Sequence, residues 1–171
     1  TLRTSGIVIG ISHNGLTSGI LNISSNIITI NKGNVISTNL FSGIYCNSAS
    51  SSNGIYAISS NTIQLNNSAT SGSTIISGIY NKDNISTLNK NISSNSIAIT
   101  GINSAGTTYG IFIRNSSYTE INLNEINLNN FSPSLIGIQL DTLCTTNNLD
   151  NNQIIISPVG IPANATIIGI N

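Results

Sequence analysis

The eight residues ISSNTIQL at 58–65 have two close copies, ISSNIITI at 23–30 and ISSNSIAI at 92–99. All three follow the template Ile-x-x-Asn-x-Ile-x-Ile/Leu. Its last two apolar positions, 6 and 8, alternate with polar residues as they do in a half-buried strand. A motif that recurs at a spacing of tens of residues predicts a repeat protein.

A relaxed form of the template occurs three more times. These copies, one of which has Ser in place of Asn, are LRTSGIVI at 2–9, INLNEINL at 121–128 and LDNNQIII at 149–156. Positions 1, 6 and 8 hold only Ile or Leu in all six copies. Units of this size that carry strand alternation and no helical pattern predict a β-solenoid with one unit per coil.

A Gly-Ile pair after each template marks another strand. Its later occurrences begin at residues 43, 78, 110, 137 and 169. In the first unit the pair is either Gly10-Ile11 or Gly19-Ile20. A further short strand runs into position 1, as in GIYAISSN at 54–61. We therefore expect an all-β solenoid of about six coils, each with two or three short strands.

The units GIYNKDNISTLNKNISSNSIAI at 78–99 and GIFIRNSSYTEINLNEINL at 110–128 resemble known repeats. They are similar to the right-handed parallel β-helix repeats of the pectin-lyase-like superfamily and of carbohydrate-binding and sugar-hydrolase proteins. The resemblance implies a single right-handed parallel β-helix domain over residues 1–171. It leaves the function open, because the superfamily includes lyases, hydrolases, phage tailspikes, adhesins and inert fibres.

The composition limits the classes of partner. Roughly one residue in five is Ile and one in six is Asn, only 6% are charged, and the formal net charge is zero. A nucleic-acid partner or an anionic membrane surface needs a basic face that this chain lacks. No apolar run is long enough to span a membrane, so we expect no membrane insertion. The chain begins at Thr1, which we interpret as a processed subunit or a slice of a longer assembly.

The Asn at position 4 precedes the strand, at a corner of the coil. Asn tolerates the left-handed backbone conformation that corners use. Stacked Asn side chains can also bond amide to amide along the solenoid. We therefore predict a structural ladder from Asn26, Asn61, Asn95, Asn124 and Asn152.

The residue after each Gly-Ile pair forms a second column. If the Ile points inward, Tyr45, Tyr80 and Phe112 point outward in successive coils. They are predicted to form an exposed aromatic stripe that stacks on sugars or contacts another chain. The alternative is a stripe covered by loops of the same chain, such as 48–53.

The search for chemistry yields no catalytic constellation. The five carboxylates, which fall in different columns or coils, are Asp83, Glu120, Glu125, Asp141 and Asp150. Hydrolysis of a glycosidic bond needs a close pair of them. We predict no catalysis, metal or cofactor. A charged column, four residues after the Gly of each pair, contains Asn47, Lys82, Arg114 and Asp141. Arg114 and Asp141 are one coil apart and are expected to form an ion pair. We favour a surface charge ladder that contributes little to stability; the alternative is an anion or uronate site at Lys82 and Arg114.

The two cysteines are predicted to stay unbonded. Cys46 lies in the second coil and Cys144 in the fifth. Three coils at roughly 4.8 Å each separate them by about 14 Å, which exceeds the reach of a disulfide. Cys46 is expected to point inward as a small apolar residue.

No capping segment is evident at either end, so the first and last coils are expected to present open strand edges. Stacking of copies would continue the template columns through Ile7, Ile9, Ile154, Ile156 and Ile170. The leading hypothesis is a non-catalytic subunit of an extracellular fibre or surface adhesin, which polymerises head to tail with itself. The alternative is an extracellular carbohydrate-binding or polysaccharide-cleaving β-helix.

Overall fold

The computed structural model describes residues 7–15, 19–33, 39–48, 54–68, 75–83, 88–103, 106–141, 143–160 and 164–171. In chain order its strands are β1 (Ile7–His13), β2 (Ile20–Ser24), β3 (Ile27–Lys32), β4 (Leu40–Cys46), β5 (Ile55–Ser59), β6 (Thr62–Asn67), β7 (Ile75–Lys82), β8 (Asn89–Ser93), β9 (Ser96–Ile102), β10 (Thr107–Arg114), β11 (Tyr118–Asn122), β12 (Glu125–Phe131), β13 (Ser134–Leu140), β14 (Asn147–Asp150), β15 (Gln153–Ile156) and β16 (Thr166–Ile170).

The strands form three parallel sheets that stack as a β-solenoid. Sheet A has the order β1-β4-β7-β10-β13-β16, sheet B β2-β5-β8-β11-β14, and sheet C β3-β6-β9-β12-β15. Each coil therefore contributes one strand to every sheet, and the last strand, β16, belongs to sheet A alone. The predicted all-β solenoid is confirmed, with five complete coils and one extra strand rather than about six coils. The right-handed sense of the coil stays a prediction.

The interior is built from the predicted apolar columns. The inner members of positions 1, 6 and 8, with at most 1% of their surface exposed, are Ile58, Ile92, Ile121, Ile63, Ile97, Ile126, Leu65, Ile99 and Leu128. Each lies beside its counterpart in the next coil, as Ile63 lies beside Ile97. One coil cannot bury its own inner face, so neighbouring coils stabilise each other.

The glycine of each Gly-Ile pair makes room for the position-6 Ile of sheet C. A Cβ atom on Gly78 would lie 2.4 Å from Cγ2 of Ile97, and one on Gly110 would lie 2.4 Å from Cγ2 of Ile126. Real Cβ contacts do not approach that closely, so no larger residue fits. The Gly-Ile pair therefore recurs in every coil because sheets A and C approach each other closely at this point.

The first template copy was wrongly aligned. Ile7 and Ile9 belong to β1, where they pair with Leu40 and Ser42 of sheet A. The same register places Ile11 beside Ile44, so the first Gly-Ile pair is Gly10-Ile11. The template therefore has five copies and the Gly-Ile pair has six. The sequence LRTSGIVI fits the template because strands of sheet A, like those of sheet C, carry β-branched residues at alternate positions.

The left-handed corner residue is also one place earlier than predicted. Position 3, not the Asn at position 4, has positive φ in every copy; the residues are Ser25, Ser60, Ser94, Leu123 and Asn151, with φ between 53° and 57°. The turn at position 3 directs the following Asn inward, where its amide reaches neighbouring coils. Backbone strain therefore falls on a residue with little packing role, such as Leu123, which is 60% exposed.

The described ranges contain strands, one isolated β-bridge, turns, bends and irregular segments, and no helix. Within those ranges no helix is long and apolar enough to cross a membrane.

Candidate functional site

The Asn column forms a continuous ladder with three hydrogen bonds per step. Asn61 Nδ2 donates to Oδ1 of Asn95 at 2.9 Å, and its backbone N–H donates to the same oxygen at 3.1 Å. Asn61 Nδ2 also donates backward to the carbonyl of Ile23 at 2.9 Å. Asn95 and Asn124 make the same three bonds. Asn26, in the first coil, makes the two forward bonds, and its Nδ2 also donates to the carbonyl of Ser24 in its own coil. The predicted ladder is present.

The ladder has a direction, and its two ends are complementary. From Asn26 to Asn124 each side-chain amide donates to the Oδ1 of the next coil, so from Asn61 to Asn152 each Oδ1 accepts from the preceding coil. Among the described residues, nothing donates to Oδ1 of Asn26, and the backbone N–H of Asn152 has no acceptor. One end of the solenoid therefore offers an acceptor and the other a donor at the same corner.

The last coil leaves its core column open. Ile138 in β13 is fully buried, but its partner Ile170 in β16 is 52% exposed. In the same way Leu135 is buried while its partner Ile167 is 45% exposed. Strands β14, β15 and β16 each pair on one side only within the described chain. Another coil placed on them would cover apolar surface and fill the free backbone positions.

The predicted end-to-end contacts need correction. Ile7 and Ile9 lie in sheet A, whereas Ile154 and Ile156 lie in sheet C. The column of Ile154 cannot therefore continue into Ile7 of a second copy. In sheet C its counterpart in the first coil is Ile28, and that of Ile156 is Ile30. Ile170 remains an end residue, because β16 forms the edge of sheet A.

The aromatic column points out of the main core but is not the exposed stripe that was predicted. Only 6% of Tyr80 and 8% of Phe112 is accessible, and Tyr45 is half-buried. The rings stack on one another, with centroids 6.1 Å apart for Tyr45–Tyr80 and 4.6 Å apart for Tyr80–Phe112. The column is therefore a second, smaller hydrophobic cluster.

The strand geometry at the glycine explains this burial. Phe41 and Ile44 both point into the main core, so the alternation of faces shifts at Gly43 between them. Outward side chains before and after the glycine then meet, as Tyr109 does with Phe112 at 5.1 Å. The alternation alone could not reveal this contact.

The charged column is a weak surface feature. Arg114 Nε lies 3.5 Å from Oδ2 of Asp141, and both side chains are more than a third exposed. The predicted ion pair is present, but solvent limits such pairs to about 1 kcal/mol or less. Lys82 pairs with Arg114 in register and is exposed. Their candidate role in binding an anion or uronate stays a prediction.

A buried polar corner lies between sheets A and B in the third coil. At its centre, Lys90 Nζ donates to Oδ1 of Asn81 at 2.6 Å and lies 3.1 Å from Oδ2 of Asp83. The backbone oxygens of Arg114 and Asn115 accept from the same Nζ, at 2.5 and 2.8 Å. The side chains of Lys90, Asp83 and Asn81 are fully buried.

The polar corner extends into the second coil through Asp83. Its Oδ1 accepts from the backbone N–H of Ser48 at 2.6 Å, and the Ser48 hydroxyl contacts the Tyr56 hydroxyl at 2.6 Å. The ring of His13 meets that of Tyr56 edge-on at 5.8 Å. His13 also lies beside Cys46 in register, although nothing near it in sequence indicated a partner.

Lys90 was missed by the search of the sequence, which considered carboxylates and the charged surface column. The signal was nevertheless present. Lys90 stands two residues before Ile92, a position-1 core residue, so strand alternation directs it inward. Burial lowers the pKa of Lys90, although the Asp83 carboxylate beside it opposes the shift.

Both cysteines are free thiols, as predicted. Cys46 is fully buried in the core, and burial raises its pKa to about 12. Burial also raises the pKa of Cys144, which is only half-buried. Among the described residues, no three His, Cys, Asp or Glu side chains are grouped closely enough to hold a metal ion.

A shallow groove of about 350 Å³ runs along the outer face of sheet C. Polar and apolar atoms contribute about equally to its walls, and five of its seven lining residues carry an amide or a hydroxyl group; the lining residues are Thr29, Asn31, Gln64, Leu65, Asn66, Ala98 and Thr100. These side chains come from three successive coils. The groove is a mixed polar and apolar surface on which a ligand could lie parallel to the solenoid axis.

Comparisons with protein-family models, with curated proteins and with solved structures found no match to this chain. The solenoid architecture therefore rests on the strand pairing itself, and the likeness to pectin-lyase-like repeats stays a resemblance.

Proposed function

We propose that the chain is a non-catalytic structural β-solenoid that stacks end to end with copies of itself in an extracellular fibre or surface adhesin. The observation that carries the proposal is the complementarity of the two end coils. One end presents the free acceptor of Asn26, and the other presents the free donor of Asn152 together with the uncovered Ile167 and Ile170.

The unequal numbers of strands limit how two copies could stack. Sheet A has six strands and the other sheets have five. If β2 and β3 of a second copy pair with β14 and β15, its β1 would occupy the position already filled by β16. We therefore place β16 against β4 of the next copy, where it replaces β1.

The sequences of the two strands support this exchange. IVIGI at 7–11 and TIIGI at 166–170 align glycine on glycine. Gly10 lies under Cγ2 of Ile28, the position-6 Ile of its own coil, and the glycines of the next four coils contact their position-6 Ile in the same way. By contrast, nothing lies within 4 Å of a Cβ built on Gly169. In the assembly Ile28 of the next copy would cover Gly169. Covering the exposed halves of Ile167 and Ile170 contributes about 1 kcal/mol each.

Electron microscopy and light scattering of purified 1–171 test assembly. Fibres one solenoid wide are expected, with a rise of about 24 Å per subunit from five coils of about 4.8 Å. The Gly169→Val variant should fold but not polymerise, because its side chain has space in the single chain and meets Ile28 in the fibre.

The matched control is Gln64→Val, which adds the same side chain on the exposed outer face of β6, away from both ends. It should polymerise like the unmodified chain. Removal of residues 1–13 should speed polymerisation, because β1 no longer competes with the incoming β16. A chain that stays monomeric at high concentration, or a Gly169→Val variant that forms normal fibres, contradicts the proposal.

A second candidate function, carbohydrate binding, is favoured by the groove on sheet C. Its amide and hydroxyl groups repeat along the axis, and such groups hydrogen-bond to sugar hydroxyls. A glycan array with the unmodified chain and with Gln64→Ala tests it. Binding that the substitution weakens without altering the circular dichroism spectrum supports the groove, and an array without bound glycans opposes it.

A further inference from the structure

The buried polar corner brings together an amine, a side-chain amide and a carboxyl group. Lys90 Nζ lies 2.6 Å from Asn81 Oδ1 and 3.1 Å from Asp83 Oδ2, and no part of the three side chains is exposed. We infer that Lys90 and Asn81 form an isopeptide bond between their side chains, with Asp83 transferring the protons. This inference does not depend on end-to-end assembly.

The contacts of Lys90 orient its amine for attack. The backbone oxygens of Arg114 and Asn115 each accept one hydrogen bond from Nζ. When one proton has moved to Asp83, the neutral amine keeps two N–H bonds, which is the number that these carbonyls require. The lone pair then faces Asn81, whose Cγ is bonded to Oδ1 at about 1.2 Å. Cγ therefore lies at most about 3.8 Å from Nζ, so a movement of a few tenths of an ångström brings it into the near-attack range of about 3–3.5 Å.

The surroundings favour the reactive states of both partners. Burial lowers the pKa of Lys90, so the neutral amine is more accessible than for a surface lysine. Nδ2 of Asn81 is buried and has no hydrogen-bond partner among the described residues, so no contact holds the leaving group in place. Complete burial of the side chains also keeps bulk water from competing as the nucleophile.

The reaction balances without an external reagent. Asp83 takes a proton from the Lys90 ammonium, and the freed electron pair on Nζ forms a bond to Cγ of Asn81. Nζ then loses a second proton while Nδ2 gains one through the Asp83 carboxyl group, and the Cγ–Nδ2 bond breaks. The products are a secondary amide and ammonia, and Asp83 keeps the first proton as a neutral carboxyl group. No group is oxidised or reduced.

The bond would join β7 to β8 across the corner of the third coil. It would replace the buried Lys90–Asp83 ion pair, whose charges are costly to keep away from water, by a neutral amide and a neutral carboxyl group. The third coil lies in the middle of the solenoid, where a covalent bond resists unravelling from either end.

Mass spectrometry of the intact, purified chain tests the inference. The expected mass is that of the sequence less one ammonia. Trypsin cleaves after Lys82, between the linked residues, and should release peptide 33–82 joined to peptide 83–114 through the side chains of Asn81 and Lys90. A succinimide at another Asn would lose the same mass but would produce no branched peptide.

Asp83→Asn is the main variant, because it keeps the shape of the side chain and removes the proton acceptor. It should retain the full sequence mass, and so should Asn81→Ser. If neither variant folds, the intact mass and the branched peptide of the unmodified chain still show whether the isopeptide bond forms. A full sequence mass after long incubation of the folded chain at alkaline pH overturns the inference. A loss of water with a Lys90–Asp83 branched peptide overturns the assignment to Asn81.

Discussion

The side-chain amide of Asn95 donates to Oδ1 of Asn124 in the next coil at 2.9 Å, and the backbone N–H of Asn95 donates to the same oxygen at 3.0 Å. The amide of Asn95 also donates to the carbonyl of Ile58 in the preceding coil at 3.0 Å. One buried side chain thus connects three coils at the corner where the backbone turns.

Asn95→Asp should destabilise the solenoid by about 2–4 kcal/mol at neutral pH. The change removes both Nδ2–H donors and places a carboxylate against Oδ1 of Asn124 and the carbonyl of Ile58. Burial would raise the pKa of the new carboxyl in the folded state above its unfolded value. The folded form then loses stability as pH rises between those two values, so the loss should be smaller in acid. Urea unfolding at two pH values measures it.

Asn129→Asp is the control for that substitution. Asn129 lies on the exposed outer face of β12, where a carboxylate stays hydrated. It should change stability by less than about 0.5 kcal/mol at either pH. Equal effects of the two substitutions would mean that the ladder does not contribute to stability.

Gly78→Ala should prevent stable packing of sheet A on sheet C. The added Cβ would lie 2.4 Å from Cγ2 of Ile97 and 2.8 Å from the carbonyl oxygen of Gly110, so the backbone must move. We expect a loss of about 3 kcal/mol or more, at the upper end of overpacking effects. Thermal denaturation followed by circular dichroism measures the change.

Gly33→Ala is the matched control, because nothing lies within 4 Å of a Cβ built there and φ is not positive. It should leave the melting temperature nearly unchanged. A Gly78→Ala protein that melts like the control would contradict the close approach of the two sheets.

The repeat predicts much of the fold because the same template position has the same structural role in each coil. Ile at position 6, Ile or Leu at position 8 and Asn at position 4 recur in every copy, so the core of sheet C and the ladder can be predicted from the sequence. The first copy was misaligned because Ile7 and Ile9 satisfy the same alternation. Only pairing with Leu40, a contact distant in sequence, assigns them to sheet A.

The candidate site was less predictable, for two physical reasons. The burial of Tyr80 and Phe112 depends on the shift of strand faces at the glycine, which a two-residue period does not describe. The contact of Lys90 in β8 with Asp83, the residue after β7, spans a corner of the coil, so their distance in space does not follow from their spacing along the chain. Alternation alone places Lys90 inside, but not its partners.

Ile97→Asp should cost several kcal/mol of folding free energy. Ile97 is 1% exposed and lies between Ile63 and Ile126 in the position-6 column, where a carboxylate finds only apolar neighbours. Thr100→Asp, on the exposed outer face of the same strand, should cost little. Chemical denaturation of both variants provides the comparison, and similar midpoints would mean that the faces of β9 are reversed.

The two free thiols should differ in reactivity. Cys46 is fully buried and has its pKa raised to about 12, so almost none of it is thiolate at pH 8. Cys144 is half-buried with a raised pKa, and a small alkylating reagent should modify it slowly in the folded chain. Peptide mapping after timed alkylation should therefore find label on Cys144 first and on Cys46 only after unfolding. In a Cys46→Ser variant, the slow alkylation of Cys144 should be unchanged. Early label on Cys46, or a disulfide between the two cysteines, would contradict their placement three coils apart.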